Sequence, residues 1–152
     1  MTTTVNGLDE LKGLAGHDLG HSEWLEITQE RVNTFADATG DHQWIHVDVE
    51  RAKTGPFGAT IAHGYLTVSL IIPLFVELLD IQGVGMGVNY GLDKVRFPSP
   101  VPVGSRIRLH GSVSSVDDAP GDGVQVHVDF TVEVEGSPKP ACVAQAVYRY
   151  YA

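Results

Sequence analysis

The 152 residues fall within the size of one ordinary domain, and a hydrophobic share of 43% supplies enough apolar side chain to close a core without disulfides or a metal staple. Nineteen acidic residues against ten basic ones leave a formal net charge of -9, which repels polyanions and argues against a general nucleic-acid or anionic-membrane binder. The lone cysteine, Cys142, cannot bridge within the chain; the N-terminal stretch lacks the basic and apolar regions of a secretory signal; and the longest apolar run, residues 65–79, is interrupted by Thr67, Ser69, Pro73 and Glu77. That run falls short of the roughly 20 apolar residues a crossing needs. The expectation is one cytoplasmic domain, residues 1–152, that engages neither nucleic acid nor membrane.

In chain order, residues 24–27 (Trp-Leu-Glu-Ile) predict a first strand. Thr28 then caps a helix in which Val32, Phe35 and Ala36 recur at helical spacing, and Gly40 stops it. Residues 41–48 follow as a loop, and Asp48 caps a second short helical turn that Thr54-Gly55-Pro56 ends. A long helix begins at His63-Gly64. Its residues Leu66, Val68, Leu70, Ile71, Leu74, Phe75, Leu78 and Leu79 leave so few polar positions that it should be covered on nearly every side, with Pro73 bending it.

The second half switches to a period of two. Val124, Val126, Val128, Phe130, Val132 and Val134 alternate with polar residues, which predicts a long strand with one dry face. Residues 84–97, the stretch with Ile107, Leu109 and Val113, and residues 141–151 supply its neighbours. The simplest packing is α+β: an antiparallel sheet curled around one long apolar helix, the hot dog arrangement.

Reactive side chains concentrate in Gly40-Asp41-His42-Gln43-Trp44-Ile45-His46-Val47-Asp48. A carboxylate and an imidazole five positions apart can both reach one water. Trp44 and Ile45 between them suggest a segment packed on the core with its polar groups turned into a cleft, where burial would raise the Asp41 pKa by desolvation. The plainer alternative is that Asp41 caps a turn and His46 is a satisfied core histidine. Gly64 adds a further group, because a glycine at a helix start leaves its backbone N–H open to an oxygen that gains negative charge. Gly64 could instead serve close packing between helix and sheet. Together, an acid/base pair and an oxyanion donor suffice to add water across the double bond of an unsaturated thioester.

Residues 35–46, read as F-x-D-A-T-G-D-H-Q-W-I-H, resemble the signature of the MaoC-like dehydratases, or (R)-specific enoyl-CoA hydratases. The likeness extends to Ile61-Ala62-His63-Gly64 and to Val95-Arg96-Phe97-Pro98-Ser99-Pro100-Val101. It implies a hot dog fold and reversible hydration of trans-2-enoyl-CoA to (R)-3-hydroxyacyl-CoA. Asp41 and His46 would hold the catalytic water, and the Gly64 N–H would meet the thioester carbonyl. It further implies a homodimer joined sheet edge to sheet edge, and no metal or organic cofactor, coenzyme A entering only as part of the substrate. Gln43-Trp44 replaces the Asn-Pro common in the family, and Ile72 stands where some members carry serine; the Gln-Trp form resembles the mycobacterial and NodN-like branch. Acyl length, branching and the choice between coenzyme A and acyl carrier protein depend on pocket dimensions.

Two rivals differ in class. A hot dog thioesterase would use Asp41 or Glu77 to aim water at the carbonyl, and a non-catalytic acyl-thioester or lipid-signal binding module would keep the fold without turnover. Intact Asp41 and His46 speak against the module. His42 and His46 have the spacing of a zinc helix, but Gln43 stands where the glutamate of that motif belongs and Gly40 argues against a helix there. Residues 83–87 (Gly-Val-Gly-Met-Gly) meet neither nucleotide fingerprint and suit a bent or closely packed strand. Cys142 reads as a buried structural thiol. Lys94, Arg96, Arg106 and Arg108 could hold coenzyme A phosphates or be solvated strand faces; His17, His21, His110 and His127 read as surface or structural.

Overall fold

The computed structural model describes residues 1–152. In chain order the elements are β1 (Thr3–Asn6), α1 (Gly7–Lys12), β2 (Asp18–His21), β3 (Leu25–Glu26), α2 (Gln29–Thr39), α3 (Trp44–Val47), α4 (Val49–Ala52) and α5 (Gly64–Leu78). There follow β4 (Leu79–Gln82), β5 (Met86–Arg96), β6 (Arg106–Ala119), β7 (Gly123–Val134) and β8 (Cys142–Tyr151). The main sheet runs β2-β6-β7-β8-β5, antiparallel throughout, with β3 also pairing β6.

The alternation in β7 does what the sequence predicts: its six apolar residues are all buried on one face. Each fully buried valine or phenylalanine contributes about 1.5–3 kcal/mol. α5 lies against that face. Phe75 of α5 meets Phe130 edge-on at 5.1 Å between ring centroids and stacks on Tyr148 at 5.2 Å, tying the helix to two adjacent strands. Gly111 of β6 brings the helix close, since a Cβ there would stand 3.2 Å from both Leu78 and Phe130. The result is the hot dog arrangement. No helix is long and apolar enough to cross a membrane.

Four expectations are corrected. The predicted first strand shrinks to Leu25–Glu26 and is preceded by β1 and β2. β1 pairs with β4 in parallel, so a small two-stranded parallel sheet accompanies the antiparallel one. Residues 41–48 are not all loop, because α3 gives His46 a helical turn. Finally, α5 is not covered on nearly every side: Tyr65 is 78% exposed and Val76 63%, with Ile72 also bare, so a stripe of the helix has no partner within the chain. Beside it β5 pairs only with β8 and exposes Met86, Val88, Tyr90 and Leu92. Pro73 sits inside α5, which continues through it.

Candidate active site

Local rules deliver the chain to the site. The Thr28 hydroxyl accepts the Arg31 N–H at 3.1 Å and starts α2, a cap of about 1 kcal/mol. Gly40 ends it in the left-handed region at φ 80°, a conformation open to glycine, and so turns the backbone into Asp41. Asp48 caps α4 through the Arg51 N–H at 3.1 Å. Trp44 packs flat between the Gly55 backbone, where a Cβ would lie 2.9 Å from the indole, and the Arg51 guanidinium, 4.2 Å from the ring centroid.

His46, 7% exposed, is held on three sides. Its Nδ1 lies 2.7 Å from the Ile61 carbonyl oxygen, an acceptor, so Nδ1 carries the proton. In the neutral ring Nε2 is then the acceptor, and no hydrogen bond within the chain occupies it. The Gln29 amide donates to the His46 carbonyl at 2.8 Å, and the buried Thr60 hydroxyl donates to Gln29 Oε1 at 2.7 Å. Gln29 and Thr60 do not stand out in the sequence; their hydrogen bond joins positions 31 apart.

His63, 2% exposed, joins the group as well. Its Nε2–H donates to the Asp41 carbonyl at 3.0 Å, and its ring stacks on His46 at 3.8 Å with planes 24° apart. A carboxylate oxygen of Asp41 and one ring nitrogen from each histidine lie within 4.8 Å of one another. That span fits a single water bridging carboxylate and imidazole by two hydrogen bonds. The three groups are metal-ligand residue types, yet one nitrogen of each ring is already engaged by a backbone carbonyl, His46 Nδ1 by Ile61 and His63 Nε2 by Asp41.

Asp41 itself is exposed, so the desolvation expected for it is absent from the single chain. The turn-capping alternative is weak, since its Oδ1 meets the Gln43 N–H only at 3.4 Å. The alternative for His46 holds for Nδ1 and fails for Nε2. At Gly64 both readings have substance. A Cβ there would stand 3.1 Å from the Phe97 ring, which is a packing reason for glycine. The first amides of α5 nonetheless find no acceptor, the Thr67 N–H being the first to pair, with the His63 carbonyl. Gly64 also lines a cavity of about 310 Å³ with Phe57, Ile61, Thr67, Phe97 and Val101.

Other candidates separate from this group. His42 pairs with Asp37 at 2.9 Å, outside α3, so the zinc-helix spacing is not realised. Glu77 stands at the far end of α5, about 20 Å from Gly64 at the helical rise. The four basic residues do not form one patch: β7 and β8 separate Lys94 and Arg96 on β5 from Arg106 and Arg108 on β6, and the latter two pair with Glu135 and Glu133. Gly85 and Gly87 are closely packed as expected, against the Ala152 backbone and the Tyr150 ring. Cys142 is fully buried, and burial pushes its thiol up to about 11.

Against known proteins, residues 11–136 match the MaoC like domain family. The chain is 56% identical over 149 residues to 3-hydroxyacyl-thioester dehydratase Z of Mycobacterium tuberculosis, covering 98% of this chain and 99% of that one. It is 44% identical over 139 residues to Nodulation protein N of Rhizobium leguminosarum bv. viciae, covering 90% and 86%. In fold it resembles the solved (R)-hydratase from A. caviae involved in PHA biosynthesis, with a TM-score of 0.71 at 24% identity over 88% of this chain and 94% of that one. The chain therefore belongs to the MaoC-like dehydratases, a family of hydro-lyases.

Proposed function

We propose that this protein reversibly hydrates a trans-2-enoyl thioester of coenzyme A to the (R)-3-hydroxyacyl thioester. The observation that carries this is the approach of the Asp41 carboxylate and the His46 imidazole to within 4.8 Å, beside the unpaired amides at the start of α5. Asp41 and His46 jointly hold the water and take its proton as oxygen attacks carbon 3. The electron pair moves onto the thioester oxygen, where the Gly64 N–H stabilises the enolate, and the dyad returns a proton to carbon 2. A shared water lets either group carry the proton, so the roles of acid and base are assigned to the pair. No metal or organic cofactor takes part in these steps.

A second copy of the chain supplies the missing wall. The free edge of β5 and the bare apolar stripe of α5 lie on either side of a cavity of about 330 Å³ lined by Ile72, Val76 and Val88. Exposed edge and exposed apolar surface together suit edge-to-edge homodimerisation. The name of the mycobacterial relative, a dehydratase of hydroxyacyl thioesters, supports the substrate class. The test is to incubate the protein with crotonyl-CoA while following the conjugated double bond and free thiol. Loss of the double bond without thiol release supports hydration; thiol release supports the thioesterase, and no change supports the binding module.

A further inference from the structure

His63 touches every part of the site. Its backbone leads directly into Gly64, its Nε2–H holds the Asp41 carbonyl at 3.0 Å, and its ring lies on His46 at 3.8 Å. Phe35 closes the flank at 4.9 Å. The Asp41 carbonyl can only accept, so the proton of the neutral ring sits on Nε2 and Nδ1 is left as an acceptor. That Nδ1 is the one buried side-chain polar atom in the chain without a partner. A stranded acceptor lowers stability, and its presence beside the reactive groups calls for a reason other than holding the fold together.

We propose that His63 is a positioning residue: through its Nε2–H donor it fixes the Asp41 carboxylate against His46 and the Gly64 amide, at a cost in stability. This rests on the hydratase reading. The donor matters more than the ring. Asp41 follows Gly40 on an exposed turn whose only side-chain restraint is the long contact to the Gln43 N–H. Without the His63 donor, the carboxylate can drift by the ångström or so that costs a catalytic geometry about 100-fold.

Two substitutions separate donor from ring. His63→Gln places an amide nitrogen near the Nε2 position and keeps the donor; His63→Phe keeps an aromatic ring and has neither donor nor stranded acceptor. For hydration of crotonyl-CoA, His63→Phe is expected to lose about 30-fold or more in kcat with KM within about 3-fold, while His63→Gln stays within about 5-fold of the parent. Melting temperature should change little in His63→Phe, since the loss of one part-buried hydrogen bond to the Asp41 carbonyl is offset by removal of the unpaired acceptor. Long-range 1H–15N correlation spectra of the parent protein, which need no variant to fold, should show Nε2 protonated and Nδ1 bare.

His63→Phe turning over like the parent, its kcat falling only in step with its melting temperature, His63→Gln as impaired as His63→Phe, or a spectrum showing Nδ1 protonated would each overturn the proposal. A parent protein that does not hydrate enoyl-CoA would instead overturn the function on which it rests. The spectrum still reads the tautomer in that case.

Discussion

His46 Nδ1 and the Ile61 carbonyl oxygen are 2.7 Å apart, which fixes the neutral imidazole in the Nδ1–H tautomer and leaves Nε2 as its acceptor. The first prediction follows from that lock. His46→Asn places an amide nitrogen near the Nδ1 position, where it can still donate to Ile61, and removes Nε2. Turnover should fall by a factor of about 100 to 10,000 while the melting temperature changes little. Asp41→Asn should do the same, its side chain being exposed and lightly bonded. Steady-state kinetics beside thermal melts check both; near-parental turnover in either variant contradicts the assignment.

Gly64 allows the amide to be tested apart from the space around it. Proline is tolerated at the first position of a helix, and His63 at φ -61°, ψ 139° already has the extended backbone that precedes proline. Gly64→Ala and Gly64→Pro both add a Cβ that presses on Phe97, but only proline deletes the N–H. The proline variant should have a kcat lower than the alanine variant by about 100- to 1,000-fold. Equal rates in the two would remove the oxyanion role.

The exposed stripe of α5 and the edge of β5 make a claim about assembly. Val76→Glu with Val88→Glu alters two side chains that are exposed within the single chain, so the protomer should still fold. Sedimentation should show a dimer for the parent and a monomer for the double variant, with activity lost alongside. A parent monomer, or a variant that remains dimeric, counts against the interface.

Alkaline pH probes the core. Burial pushes the Cys142 thiol up to about 11 from 9.0 and the Tyr150 phenol up to about 12 from 10.0; Tyr148 is raised further by burial and by its neighbour Tyr150. A raised folded-state pKa means the fold holds the proton more tightly than the unfolded chain does. Its contribution is fully present below the unfolded value and is lost as pH rises toward the folded one. Melting temperature should therefore drop from about pH 9 upward, and Cys142→Ala should flatten the segment between 9 and 11. An unchanged slope in that window would contradict a buried neutral thiol.

How much of this could be read from the chain depends on where each partner sits. β7 was legible because its alternation is local and its dry face is continuous. β1, β2 and β4 were not, being four-residue strands whose identity comes from their pairing partners. α5 was legible as a helix but not its bare stripe, since an apolar helix does not reveal whether its own chain or another covers it. Asp41, His46 and Gly64 stand in recognisable motifs. The contacts that hold them are not legible: His63 stands in the quoted motif but reaches Asp41 across 22 positions, and Thr60 reaches Gln29 across 31. α3 is a single turn, too short for any periodicity to show.

Of all these measurements, the configuration of the product bears most directly on the chemistry assigned to Asp41, His46 and Gly64. Crotonyl-CoA incubated with the purified protein should yield (R)-3-hydroxybutyryl-CoA, with Asp41→Asn and His46→Asn yielding almost none. An (S) alcohol, or an alcohol formed equally well by those variants, would contradict it.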